Sequence, residues 1–478
     1  MRSAAVFTIV FLSFAFLKNV SATEEKRIEF SEIWDQIRSQ SAVLKSKTAE
    51  VRVAEIGKDR AAKHWLPKVY ADVRSYRTND PALNFLGKLG QRSANQSDFS
   101  TASVRTQPSN FLDANNQPYT VLNSDTANLF AKDTLNRPGD HAYSRGTLGV
   151  ELPLFEGGGK TAAHSALEKR FSAVKSEERY IRTLEYSNAA AAFQSISLSE
   201  ENLAKTESLL REIRDFLGRY RIGNRDNPVG YSGFLALRSL QNLLEVSKKE
   251  QETARRTAEE TIRMMAPEIS EEQLRPKRIP LLKFADQYLP LPALRESGHT
   301  PLSDAFRFHS EEAKAGIEAE RARFLPKIAA YAETYAYDGS RNQANAYNAG
   351  VYLQMNLLNP SDLGALDEAK AKEEAVRKKA EEIRLKEEGN FRLLLSREKS
   401  IFENLNSIYD SVRFQEEQLK ISQRLFQSGS ILAPQMAESF SRMAELLRIK
   451  SATETEYLRI RGELSLYNAK GAFHENEF

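Results

Sequence analysis

One sequence pattern occurs twice in this chain and limits its fold more than any other feature. A helical stretch at about residues 30–64 leads into Leu-Pro-Lys at 66–68, and a second at about 302–323 leads into Leu-Pro-Lys at 325–327. Because proline ends a helix and disfavours helical backbone before it, an extended segment is expected each time. Each half continues with a second extended segment and a very long helical pattern. The repetition predicts two copies of one helix–strand–strand–helix unit.

Four segments alternate between apolar and polar residues, which is typical of strands with one apolar face. They lie near 66–76, 146–155, 326–337 and 347–358. Each has about ten residues, the length with which a tilted strand spans a bilayer. In the third segment three tyrosines share a face with Glu333, so the alternation is weaker there. The open alternative is a half-buried sheet of a soluble domain.

Two proline-free stretches, 160–220 and 361–427, predict helices far longer than those of ordinary globular domains. Their apolar residues recur with the spacing of coiled coils. At 1.5 Å per residue, each helix would be roughly 90 Å long. A turn and a returning helical pattern follow each stretch. The sequence therefore predicts two helical hairpins, at 160–265 and 361–470.

The N-terminal residues indicate export from the cytoplasm. Residues 1–22 combine Arg2, an apolar run and small residues before Thr23, which is the pattern of a secretory signal peptide. No other segment approaches the length of a transmembrane helix. The chain has no cysteine, which excludes disulfides, thiolate metal sites and a cysteine-linked lipid anchor. A net charge of +3 does not suggest a nucleic-acid partner.

The remaining segments connect these elements. Residues 77–145 are polar and separate the first two predicted strands, as expected of an external loop of a membrane hairpin. Residues 266–301 are rich in proline and predict a connector with little regular structure. The resulting division is a first repeat at 23–265, the connector, a second repeat at 302–470 and a C-terminal tail at 471–478.

No motif in the sequence predicts an enzyme, a cofactor or a metal site. The stretch ELPLFEGGGKTAA at 151–163 resembles a phosphate-binding loop, but Leu154 occupies the position that requires its first glycine. The equivalent segment of the second half, 358–364, has no Gly-Lys-Thr at all. The six histidines show no metal-ligand spacing, and no G-x-S-x-G occurs. These glycines are expected to form a strand-to-helix turn.

Four membrane strands in one chain would leave two unpaired edges in lipid, where each unsatisfied backbone group is costly. A closed barrel needs about eight strands at least, so several chains must share one. Two chains would give eight strands around a packed interior. Three would give twelve strands around a conduit.

The sequence resembles the TolC-like outer-membrane efflux protein family over nearly all of its predicted mature length. The resemblance rests on Leu-Pro-Lys at 66–68 and 325–327, GVELPLFEGG at 149–158, RYRIG at 219–223, NDPALNFLGKLGQ at 79–91 and DTLNRPGD at 133–140. It implies a mainly α protein with a membrane β-barrel part. Long helical hairpins would form a trimeric α-barrel, and four strands per chain would contribute to a shared 12-stranded barrel with an internal two-fold repeat.

The resemblance also implies a location and partners. The chain is expected in the outer membrane of a Gram-negative bacterium, with a large periplasmic part, as a homotrimer in contact with outer-membrane lipid. It would be the exit duct of a tripartite export system with a periplasmic adaptor protein and an inner-membrane transporter of the proton-driven or ABC type. Two alternatives remain open: the channel of a type I protein-secretion system, and a periplasmic coiled-coil scaffold outside the membrane. The substrate, whether drug, metal or protein, stays undetermined.

Site residues follow from the same resemblance. In the family, acidic residues after the second hairpin turn narrow the periplasmic entrance, and the matching positions are Gln435 and Glu438. Because glutamine replaces one of the two carboxylates, a strong acidic ring is not expected. The hairpin tips, expected to dock the adaptor, contain the following residues: Arg221, Gly223, Gly429 and Ser430.

Overall fold

The computed structural model describes residues 27–99, 109, 111–121, 133–219, 227–292 and 298–468. The predicted signal peptide, the C-terminal tail at 471–478 and the tip residues Arg221 and Gly223 lie outside these ranges. The chain forms two compact units. One comprises Met1–Ala49, Glu177–Leu302 and Leu385–Phe478, and the other Glu50–Ser176 and Ser303–Arg384. Each unit draws segments from both predicted repeats, whose boundaries along the chain stay predictions.

The second unit contains one four-stranded sheet, and all neighbouring strands are antiparallel. The strands are β1 (Lys68–Thr78), β2 (His141–Glu156), β3 (Lys327–Gly339) and β4 (Ala344–Gln354), in the order β1-β2-β3-β4. The four predicted strands are therefore confirmed. β2 begins five residues before the predicted start, and β4 ends at Gln354 instead of residue 358. The β2–β3 register shifts at Pro153, whose nitrogen cannot donate to the ladder.

The register divides the sheet into two chemically different faces. The residues paired across all four strands in one row are Tyr70, Gly149, Glu333 and Asn348, and in the adjacent row Val69, Val150, Ala332 and Ala349. Since paired residues share a face, the first row defines a polar face and the second an apolar face. The tyrosines that weakened the predicted alternation lie on the polar face, where the hydroxyls of Tyr70 and Tyr335 donate to Glu333.

Nine α-helices occur in the described ranges. They are α1 (Phe30–Gln40), α2 (Ala42–Ala62), α3 (Pro81–Gly90), α4 (Gly159–Arg219), α5 (Pro228–Met265), α6 (Leu281–Tyr288), α7 (Pro301–Arg321), α8 (Ala365–Gln427) and α9 (Ala433–Ser465). The two long predicted helices are confirmed as α4, of 61 residues, and α8, of 63 residues. None of these helices is both long enough and apolar enough to cross a lipid bilayer.

The first predicted helix, at 30–64, is two helices. The backbone leaves helical geometry at Ser41, whose ψ is 118°. The Ser41 hydroxyl then accepts from the Leu44 backbone N–H at 3.3 Å, which caps the start of α2. Serine at a helix start competes with helix continuation in this way.

The connector at 266–301 is more regular than its prolines predicted. It contains α6, in which Leu281, Phe284, Ala285 and Tyr288 are buried in the main apolar cluster of the first unit. Phe30 of α1 packs edge-on against Tyr288, with ring centroids 5.2 Å apart. The prolines here bracket a helix, because Pro280 sits at its N-cap and Pro290 follows its end.

The Gly-rich turn between β2 and α4 allows a backbone conformation that other residues rarely adopt. Gly157 and Gly158 have φ values of 64° and 80°, in the left-handed region. A Cβ on Gly157 would also lie 2.6 Å from the Ala322 carbonyl oxygen. Lys160 pairs with Glu156 at 2.8 Å. These residues are explained by a tight strand-to-helix turn.

Candidate functional site: the hairpin turn and the loop end of the sheet

The turn between α8 and α9 contains the predicted tip residues Gly429 and Ser430. Gly429 has a φ of 77°, and its N–H donates to the Phe426 carbonyl at 3.0 Å. The Ser430 N–H donates to the Leu425 carbonyl at 2.8 Å. This pair of bonds is the Schellman motif, which ends a helix with a residue in the left-handed region. Gly429 and Ser430 are both exposed and therefore accessible to a partner.

Gln435, one of the two predicted gate residues, caps α9. Its side-chain oxygen Oε1 accepts from the Leu432 backbone N–H at 2.8 Å. Leu432 is the N-cap residue, so the bond satisfies a backbone donor at the start of the helix. Gln435 is exposed, but this bond holds its carbonyl oxygen against its own helix.

Glu438, the other predicted gate residue, lies one turn further along α9 and is exposed. Its Oε1 accepts from Arg442 Nη2 at 2.6 Å, within the same helix. The Glu438 carboxylate is therefore accompanied by a guanidinium. The pair reduces the negative charge that Glu438 can present, which adds to the loss of charge at Gln435.

Behind this turn, apolar side chains of α4, α5, α8 and α9 form a separate cluster in the first unit. Its largest fully buried members are Ile213, Leu237 and Phe440. Polar bonds cross it: Gln415 Nε2 donates to the Ser439 carbonyl at 3.1 Å, and Ser439 Oγ donates to Ser422 Oγ at 3.0 Å. The exposed turn is thus supported by a well-packed base.

In the second unit, α3 covers the polar face of the sheet where the 77–145 loop begins. A Cβ on Gly87 would lie 2.5 Å from the Tyr143 ring, and one on Gly90 would lie 2.7 Å from the Tyr337 ring. The Tyr143 hydroxyl donates to Asn84 Oδ1 at 2.8 Å. Since Arg145 pairs with Tyr337 and lies two residues from Tyr143, both tyrosines belong to the polar face.

A buried ion cluster accompanies α3. Lys88 Nζ lies 3.0 Å from Asp98 Oδ1, and Arg341 Nη1 lies 2.6 Å from Asp98 Oδ2. Lys88 and Asp98 are both buried. The hydrogen bond from Arg341, helped by the Asn95 backbone and Lys88, holds the pKa of Asp98 well below its usual range.

Sequence reasoning missed two buried charged networks of the first unit. Lys450 Nζ contacts Glu454 at 2.9 Å and Asn202 at 3.0 Å. Arg461 donates to the carbonyls of Leu289 and Ala285 and also pairs with Glu398 at 3.2 Å. Burial raises the pKa of the neighbouring Tyr457 hydroxyl to about 12. Helical periodicity alone could not separate these charges from the many exposed ones.

In the ranges that the structure describes, no group of three or more histidine, cysteine, aspartate or glutamate side chains is arranged to hold a metal ion. The site residues described above instead form hydrogen bonds to the backbone, form ion pairs or pack against other side chains.

Three solved structures are similar to this chain over nearly its whole length. The outer membrane protein VceC of Vibrio cholerae is 13% identical with a TM-score of 0.67, covering 93% of this chain and 97% of that one. The outer membrane channel MtrE of Neisseria gonorrhoeae is 14% identical with a TM-score of 0.67, covering 93% and 90%. The outer membrane channel CmeC of Campylobacter jejuni is 11% identical with a TM-score of 0.67, covering 94% and 87%.

This chain has the fold of the TolC-like outer-membrane channels. The predicted fold class is thereby confirmed in its long helices and its four antiparallel strands. No protein-family model and no curated protein matches the sequence. At 11–14% identity the likeness extends to the fold, whereas the roles of Gln435, Glu438, Gly429 and Ser430 stay predictions. The trimer, the shared barrel and the internal repeat also stay predictions.

Proposed function

We propose that this chain is the outer-membrane exit duct of a tripartite export system and conducts substrates passively. One observation carries the proposal: the sheet exposes a whole apolar face and has two free edges. Val73 is 77% exposed and Val351 is 66% exposed, and both lie on that face. β1 and β4 each pair with a described strand on one side only. Such a sheet is unsuited to water and aggregation-prone at its edges.

Lipid would cover the exposed apolar face, and neighbouring copies of the chain would pair with the two free edges. The apolar face would contact acyl chains, and the β1 edge of one copy would pair with the β4 edge of the next. Three copies would give a barrel of about twelve strands, wide enough to keep water against the polar face. That face carries Arg145, Glu151 and Glu333, which need hydration or pairing. The fold shared with outer-membrane channels supports this reading.

The long hairpins would then extend into the periplasm and meet partners there. We propose that the exposed turn at Gly429 and Ser430, together with Arg221 and Gly223, docks a periplasmic adaptor, which couples the duct to an inner-membrane transporter. The Schellman geometry gives this turn one defined shape for recognition. A photoreactive group at Ser430 should cross-link to the adaptor in intact cells, whereas the same group at Ser400, exposed within α8, should not.

Membrane fractionation and bilayer recording test the function. The protein should be recovered from outer membranes as a heat-modifiable trimer, and the purified trimer should conduct ions across a planar bilayer. A monomer in the soluble periplasmic fraction, without channel activity, would overturn the proposal in favour of the scaffold alternative.

A further inference from the structure

Residues 81–99, called the lid below, form a folded piece against the polar face of the sheet. α3 begins with Asp80, whose carboxylate accepts from the Leu83 N–H at 2.9 Å, and with Pro81 at the first helical position. Asn84 is completely buried, and its Nδ2 donates to the carbonyls of Thr78 and Gly139. The segment is thus anchored to the ends of both β1 and β2.

The contact with the sheet is too close to be incidental. Gly87 and Gly90 are three residues apart and share one side of α3. Each meets a tyrosine ring of the polar face so closely that a methyl group would not fit. The face of α3 that touches the sheet therefore depends on two glycines, although glycine weakens a helix.

An ion cluster ties the lid to the far side of the sheet. Arg341 lies in the turn between β3 and β4 and pairs with Asp98, which also pairs with Lys88 of α3. Arg92 Nη2 also donates to the Asn345 carbonyl at 3.1 Å. The lid consequently spans all four strands and is fastened at both ends.

The exposed side of α3 is apolar. Leu83, Leu86 and Leu89 follow one another at three-residue intervals, and Leu86 is 59% exposed. They point away from the side that holds Asn84 and Lys88, which are buried. Because α3 packs on the polar face, these leucines project into the space on the polar side of the sheet.

We infer that the lid forms an apolar constriction inside the mouth of the channel, lined by Leu83, Leu86 and Leu89. The inference rests on the proposed function, in which the polar face borders the water-filled passage. One lid from each copy would then bring three leucine rows toward the axis. A narrow apolar ring expels water and so impedes ions, although no side chain blocks the pore completely.

A single cysteine tests where Leu86 lies, since the chain has none of its own. The full-length Leu86→Cys trimer is recorded in a planar bilayer, and a positively charged methanethiosulfonate reagent is added to each side in turn. We expect the current to change at least about twofold, because the reagent places a charge in the narrowest apolar part of the passage. Val73→Cys, on the apolar face, is the matched control and should not respond.

A triple substitution, Leu83→Ser with Leu86→Ser and Leu89→Ser, should raise the conductance at least about twofold by wetting the ring. If the wild type conducts while the reagent leaves Leu86→Cys unchanged, the constriction is refuted and the channel function stands. If the wild type does not conduct at all, the proposed function fails and the inference with it. Should the triple variant not assemble, the cysteine result decides.

Discussion

At Gly429 a single backbone angle determines how the helical hairpin turns. Gly429→Ala places a side chain at φ 77°, which should destabilise the protein by about 1 kcal/mol. Gly389→Ala is the matched control, because Gly389 is exposed inside α8 with nothing within 4 Å of an added Cβ. That change should stabilise by roughly 0.5–1 kcal/mol. Urea unfolding followed by circular dichroism measures both, and shifts of the same sign would contradict the argument.

Glu438 decides whether an acidic entrance exists. If three copies of its carboxylate surround a narrow pore, they attract cations, and Glu438→Ala should raise conductance or weaken block by divalent cations. Arg442→Ala removes the guanidinium that pairs with Glu438 and should strengthen the block. Single-channel recordings of both variants provide the comparison. Unchanged current and cation sensitivity in both would leave Glu438 as an ordinary exposed helix residue.

The C-terminal end of α6 is held by one side chain that is distant in sequence, Arg461 of α9. Arg461 donates to the carbonyls of Ala285 and Leu289 at the end of α6 and pairs with the buried Glu398. Arg461→Met leaves these groups without their donor and should destabilise by about 3–5 kcal/mol. Arg459→Met removes only exposed pairs on the same helix and should cost less than about 1 kcal/mol. Hydrogen exchange of α6 amides should rise only for Arg461→Met.

The lid should loosen in acid. Because the folded-state pKa of Asp98 lies below its unfolded value of about 3.9, its stabilisation is complete above that pH and is lost as pH falls toward the folded pKa. Once Asp98 is protonated, Lys88 and Arg341 lose the carboxylate that holds both of them beside the lid. Conductance should therefore rise as pH falls below about 4. Asp98→Asn should already conduct more at neutral pH and lose this dependence; an identical acid response would assign it to other groups.

The elements missed by the sequence were hidden for identifiable reasons. α3 contains two glycines, which weaken a helical prediction, and their use becomes clear only against Tyr143 and Tyr337. α6 lies among prolines that suggested irregular chain, although prolines at both ends also bracket a helix. Long helices and strand alternation were predictable because their periodicity persists over many residues. Which charges are buried, such as Arg461, depends on how helices are rotated against one another, which periodicity does not specify.

At the scale of the whole molecule, the four-stranded sheet is incomplete by itself, and its two faces demand different surroundings. Val351 lies on the apolar face and Asn348, three residues earlier on β4, lies on the polar face opposite Glu333. One strand therefore offers two positions at which the same charge should have opposite consequences.

Arginine at these positions tests the membrane assignment. Val351→Arg would place a charge in lipid, at a cost of about 2–4 kcal/mol per copy near the bilayer centre, and should reduce the trimer recovered from outer membranes. Asn348→Arg would face water and Glu333, so it should assemble normally and make the channel less cation-selective. Heat-modifiable bands and reversal potentials measure the two effects. If both variants accumulate equally and conduct like the wild type, the apolar face does not contact lipid and the shared barrel is refuted.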